Sequence, residues 1–177
     1  MHKNRKIISK CNVPKEERKC NCLIFTTDEE YETMMCKTGH NFYAVNAPSF
    51  KKWDKKECAI PDNYCVLGES VVPVWIDFDV IIVHHKLGQY VQAMKIKNYL
   101  NIPMIVVEHS MPQEISKLEQ QLDSARNMLG DLNIFITEEI QTAWRIEHNP
   151  YVLTSEPEED CVTKWKVILD QFYEGVV

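Results

Sequence analysis

The sequence predicts an α/β protein built on a single doubly wound, mainly parallel sheet flanked by helices. Three observations lead to this fold class. Short, continuously apolar, β-branched runs such as Val80-Ile81-Ile82-Val83 and Ile105-Val106-Val107 alternate with polar-faced segments of helical spacing along the chain. Runs without polar alternation suit strands covered on both faces, the condition of a parallel sheet. The stretch from Phe78 to Ser110 is a complete strand–helix–strand unit, whose crossover is expected to be right-handed. Finally, both strands of that unit end in histidine: His84 and His85 after the first, His109 after the second. Open α/β sheets bind ligands at the carboxyl ends of their strands, so these three side chains are expected on the functional edge.

Residues 1–20 read as a basic arm with a short extra strand at 6–9. The first firm strand is 22–27. Asp28 then caps a helix that runs to Lys37, with Glu29 and Glu30 in the first turn favouring the helix dipole and Gly39 as the residue that ends it. Residues 42–45 form a second strand. A long polar connection follows over 47–62, with Trp53 among lysines and Pro48 and Pro61 as breakers, before a third strand at 64–67. In the central unit, Tyr90-Val91, Met94, Ile96 and Tyr99-Leu100 recur at helical spacing and are expected to face the sheet, until Asn101 and Pro103 stop the helix. A helix over 113–129 presents Ile115, Leu118, Leu122 and Ala125, and Gly130 ends it. Residues 133–137 form a buried strand, 138–146 a short helix containing Trp144, and 151–154 a last edge strand. Residues 158–173 make an amphipathic helix with Val162, Trp165, Ile168, Leu169 and Phe172 inward. The expected organisation is therefore the arm at 1–20, a sheet domain at 21–157, and a terminal helix at 158–177 that packs back on it.

At 177 residues the chain has the size of one domain with a sizeable core, and 45% apolar with 26% charged residues is an ordinary globular composition. No apolar run approaches the roughly 18 residues that span a bilayer. The basic start is not followed by an apolar segment, so no secretory leader is expected. With seven cysteines, an odd number, this points to a reducing, cytoplasmic setting in which Cys22, Cys36 and Cys65 serve as small core residues. Cys11, Cys20, Cys22, Cys36 and His40 form no paired CxxC pattern, so no metal site is expected. The arm carries seven Lys/Arg against Glu16 and Glu17, a balance of +5 that leaves −11 for the rest of a chain of net charge −6. An acidic body argues against nucleic acid as the main partner.

Candidate chemistry follows from the strand ends. His85 and His109 are the catalytic candidates, as general base or phosphate contact, and His84 joins them as a substrate-binding residue. Each also reads as a strand-end histidine bonded to loop backbone. Thr26, Thr27 and Asp28 end the first strand and offer a place for an acceptor hydroxyl, Asp28 doubling as a helix cap. Glu138 stands at the next carboxyl end, where it also reads as a first-turn helix residue. Glu108 points to the opposite face from His109 and is a weaker candidate. There is no GxSxG, no P-loop and no GxGxxG. The turn after the first strand is TTDEEYE, acidic where a pyrophosphate needs open backbone amides.

The order of segments, LIFTTDEEYETMMCKTGHNFYAV, then FDVIIVHH, IPMIVVEHSMP and NIFITEEIQTAW, resembles the amino-terminal, acceptor-side half of a GT-B glycosyltransferase. The resemblance runs from about Cys22 to Ile146. It places Lys37-Gly39-His40 at a KxGH turn, His84-His85 and His109 at the two histidine-ended strands, and Phe135-Ile136-Thr137-Glu138 with Trp144 before the hinge. It implies a Rossmann-like domain, half of a GT-B fold, whose donor domain is missing from this chain. The implied function is glycosyltransferase-like, degenerate or dependent on a protein partner that supplies the donor domain, with a nucleotide-sugar donor and no other cofactor. The alternatives are a non-catalytic binding or assembly module, using Trp53 and the Trp165/Phe172 face for protein contacts, and a small nucleotide-binding regulator.

Overall fold

The computed structural model describes residues 19–84, 87–112, 127–153 and 158–174. The arm strand expected at 6–9, His85, and nearly all of the helix expected over 113–129 lie outside these residues. Seven strands pair in the order β3-β2-β1-β4-β5-β6-β7, every pair parallel. They are β1 (Asn21–Ile24), β2 (Asn41–Asn46), β3 (Tyr64–Glu69), β4 (Val80–His84), β5 (Met104–Glu108), β6 (Leu132–Phe135) and β7 (Pro150–Val152). The helices are α1 (Glu29–Cys36), α2 (Leu87–Leu100), α3 (Glu138–Trp144) and α4 (Glu158–Glu174). This is a Rossmann-like, doubly wound sheet, and the strand order reverses between β1 and β4, the point at which such sheets open a crevice for ligands.

Side-chain alternation along the strands divides the core in two. Cys22, Ile24, Val80, Ile82, Ile105, Val107 and Ile134 pack against Met35 of α1 and Trp165, Ile168, Leu169 and Phe172 of α4. Leu23, Phe25, Ile81, Val83, Met104 and Val106 meet Ala93 and Ile96 of α2 on the other face. β4 and β5 are buried along their whole length, which is why they read as unbroken apolar runs.

Two expectations change. Val91 and Tyr99 do not face the sheet but are exposed, while Gln89, Ala93 and Ile96 are buried. The i, i+4, i+7 stripe faces the sheet; Val91 and Tyr99 lie about 200° and 240° round the helix from Gln89 and Ala93. Cys65 is exposed rather than core, because β3 is an edge strand that opens onto a cleft there.

Several stops are physical. Asp28 caps α1, its side chain accepting the Tyr31 N–H, and Gly39 takes a φ of +82° two residues beyond the Lys37 cap. At Gly130 a Cβ would lie 2.6 Å from the Met104 carbonyl oxygen and 2.8 Å from that of Leu132, so the chain can pass there only without a side chain. Among the described residues no helix is long and apolar enough to cross a membrane.

Candidate functional site

β4 and β5 are neighbours, with His84 paired in register to Val107, so the residues that follow them emerge side by side. His84 and His109 meet there: His84 Nδ1 is 2.8 Å from His109 Nε2, and the ring centroids are 4.8 Å apart. One of these nitrogens must carry the proton that the other accepts, so the two rings fix each other's tautomers. His84 is buried and His109 half-buried, so His109 is the more accessible of the two.

The pair is held from the α1/α4 side. The Tyr31 ring of α1 stands edge-on to His109 at 4.6 Å and to His84 at 6.3 Å. Its hydroxyl accepts a 2.9 Å bond from the indole N–H of Trp165 on α4, which is fully buried. Burial pushes the Tyr31 hydroxyl well above its usual pKa, so it stays neutral. From the other face the β5 exit is tied down by Glu108, whose Oε1 accepts both the N–H and the O–H of Ser110 at 2.8 Å. The Ser110 carbonyl in turn accepts the Trp144 indole N–H at 2.7 Å. Glu108 does point away from His109, and its work is to hold the loop that carries that histidine.

The β1–α1 turn explains why the acidic TTDEEYE replaces a glycine-rich loop. Glu32, buried beneath the turn, folds back so that Oε1 accepts the Thr27 N–H at 2.6 Å and the Asp28 N–H at 3.3 Å. A carboxylate of the chain itself thus occupies amides that a bound phosphate would use in a dinucleotide fold. Oε2 accepts the Tyr64 hydroxyl at 2.5 Å, and Tyr64 lies 2.9 Å from the Thr26 hydroxyl. Burial drives the Glu32 carboxyl up to about 7, against the Tyr64 hydroxyl and the Thr27 and Asp28 amides that pull it down.

Beside this turn, at the switch point, Thr27 Oγ1 donates to the Phe25 carbonyl at 3.2 Å and accepts from Gln89 Nε2 at 3.1 Å. Because the Thr27 hydrogen already goes to Phe25, the Gln89 amide must present nitrogen to Thr27. Its Oε1 then has no hydrogen-bond partner among the described residues, although Gln89 is buried. Gln89 lines a cleft of about 470 Å³ with Ser49, Phe50, Lys51, Gly88 and Gln92. A buried acceptor without a partner is costly unless something supplies a donor.

The predicted site residues therefore separate. His84 and His109 come together, and Thr27 contacts Gln89 on the same carboxyl edge. Thr26 forms part of the Tyr64–Glu32 network. Asp28 is the α1 cap, bonded to Tyr31 N–H at 3.0 Å. Glu138 is exposed in the first turn of α3, whose cap is Thr137, and among the described residues nothing joins it to the histidines. The KxGH segment sits at the amino end of β2: His40 Nδ1 accepts the Cys20 N–H at 3.1 Å, and Nε2 is 3.6 Å from Asp170 on α4. Burial holds the His40 pKa below its ordinary value. Trp165 and Phe172 are core residues, as the inward face of the last helix predicts, and Trp53 is buried as well, so these three side chains are not the contact face that the binding-module alternative drew on.

Glu32, Tyr64, Gln89 and Tyr31 are absent from the sequence-derived set. The one signal for Glu32 was a third acid in the first helical turn, more than the dipole requires. Among the described residues no group of three His, Cys, Asp or Glu side chains is arranged to hold a metal ion. No protein-family model and no curated protein matches the chain.

Proposed function

We propose that the chain is a glycosyltransferase-like protein, the acceptor-side half of a GT-B scaffold, which works with a partner that supplies the donor domain. The observation that carries this reading is the hydrogen-bonded His84–His109 pair at the carboxyl edge; on the same edge the buried Gln89 has an Oε1 with no hydrogen-bond partner among the described residues. Sugar acceptors bring hydroxyl groups, and a hydroxyl can donate to Gln89 Oε1, which meets no donor among the described residues. His109, the more accessible ring, would receive the acceptor proton as it attacks the sugar donor, while His84 shares the charge across the 2.8 Å contact. The Glu32 carboxylate accepts the Thr27 and Asp28 amides of the β1–α1 turn, which argues against phosphate binding at that turn. The Trp53, Trp165 and Phe172 side chains are buried in the core rather than offered to a partner. The six described cysteines are all free thiols, which fits a reducing, cytoplasmic location.

The test is transfer or hydrolysis of UDP-, GDP- and ADP-sugars by the purified chain, alone and with candidate partner subunits. Activity that falls on His109→Ala by roughly a hundredfold or more, the usual size of a general-base contribution, supports the reading. Unchanged turnover in that variant, or no turnover and no nucleotide-sugar binding with any partner, contradicts it.

A further inference from the structure

The connection between β2 and β3 carries Lys51, Lys52, Lys55 and Lys56 within six residues of a chain whose net charge is −6. It folds beside the carboxyl end of β2 and the first residues of β3 and walls a cleft of about 610 Å³, lined among others by Thr26, Asn46, Lys52, Lys55, Asp62 and Tyr64. That volume lies in the range of small-molecule sites, roughly 300–1,000 Å³. Lys51 is paired with Glu29, but Lys52 and Lys55 are exposed and have no ion pair among the described residues.

The floor of the cleft is built rather than accidental. Tyr64 donates its hydrogen to Glu32 Oε2 at 2.5 Å, so across the 2.9 Å contact Thr26 donates to the Tyr64 oxygen. Thr26 Oγ1 is left as an acceptor at the floor, with the Asp62 carboxylate and the Asn46 amide also in the lining. Trp53 closes one wall, its ring 4.4 Å from that of Tyr64 and its N–H held by the Cys58 carbonyl at 2.8 Å. The cleft therefore offers two lysines with no ion pair among the described residues, together with acceptors for hydroxyl groups.

We propose that this cleft binds a phosphate monoester carried on a hydroxylated ring, the phosphate between Lys52 and Lys55 and the ring hydroxyls on Thr26, Asn46 and Asp62. A sugar phosphate and a nucleoside monophosphate share this chemistry. The site is distinct from the His84–His109 pair and does not depend on the sugar-transfer reading.

The experiment is an NMR titration of the full chain read on the Trp53 indole N–H, with glucose 6-phosphate, uridine 5′-monophosphate, inorganic phosphate and glucose as probes. At least one ester moves that resonance saturably, and the one that binds more tightly identifies the source. Lys52→Ala/Lys55→Ala, two exposed positions that leave the melting temperature in place, weakens binding by roughly tenfold or more, as expected for lost charge-assisted bonds. His109→Ala leaves it unchanged. No shift with either ester, equal affinity in the double lysine variant, or binding of inorganic phosphate or glucose as tight as that of the esters overturns the assignment.

Discussion

At the scale of single residues, the chemistry of this chain turns on polar groups buried under the carboxyl edge of the sheet. Glu32 is the clearest case. Its carboxyl titrates near 7 in the fold against an ordinary value of 4.5. Between those values the folded state binds the extra proton, so Glu32 favours folding below pH 4.5 and this contribution is lost as pH rises to 7. Glu32→Gln should flatten that fall, worth up to about 3 kcal/mol, and denaturant unfolding at a series of pH values measures it. His40 works in the opposite sense: its depressed pKa means that stability is lost as pH falls below its ordinary value of 6.5. Asp28 is a cap and not a ligand in this account, so Asp28→Ala should cost about 1 kcal/mol of stability and leave ligand binding unchanged. The residue types at the strand ends pointed to His84 and His109 because strand ends are short-range features. Gln89, Tyr64 and Glu32 were hidden because their importance comes from partners 62, 38 and 5 residues away, a pairing that only the folded topology makes.

At the scale of elements, α4 does more than close the sheet. It reaches the histidine pair through one line of contacts, from the Trp165 N–H to the Tyr31 hydroxyl and from the Tyr31 ring to His109. Trp165→Phe keeps most of the packing but removes the donor. It should cost about 1 kcal/mol by the usual worth of such a bond. It should also shift the His109 ring resonances, a change that simple loss of packing elsewhere in α4 would not produce. The bend before β6 is fixed differently: Gly130→Ala forces a methyl group against two backbone carbonyls, and a loss of roughly 1–3 kcal/mol in chemical denaturation is expected. The α2 helix marks where periodicity misleads. Its apolar residues occupy more than one face, so their spacing alone could not say whether Val91 and Tyr99 or Gln89 and Ala93 meet the sheet. The buried glutamine among them is the residue that a hydrophobic pattern discounts.

At the scale of the whole molecule, the parallel sheet was readable because β4 and β5 are covered on both faces and therefore carry no polar alternation. The reversal of strand order between β1 and β4 was not, since it depends on which way each crossover turns. That reversal brings Thr27, at the end of β1, to Gln89 at the start of α2, with the His84–His109 pair on the same edge. The proposed function requires this edge to be a site for hydroxylated ligands. The most direct test is to label the histidine rings with ¹⁵N and titrate the chain with nucleotide-sugars and candidate glycan acceptors. Linked tautomers predict that the His84 and His109 signals move together and saturate, and that Gln89→Ala weakens the response. Movement of neither ring with any ligand, or of one without the other, would contradict the account.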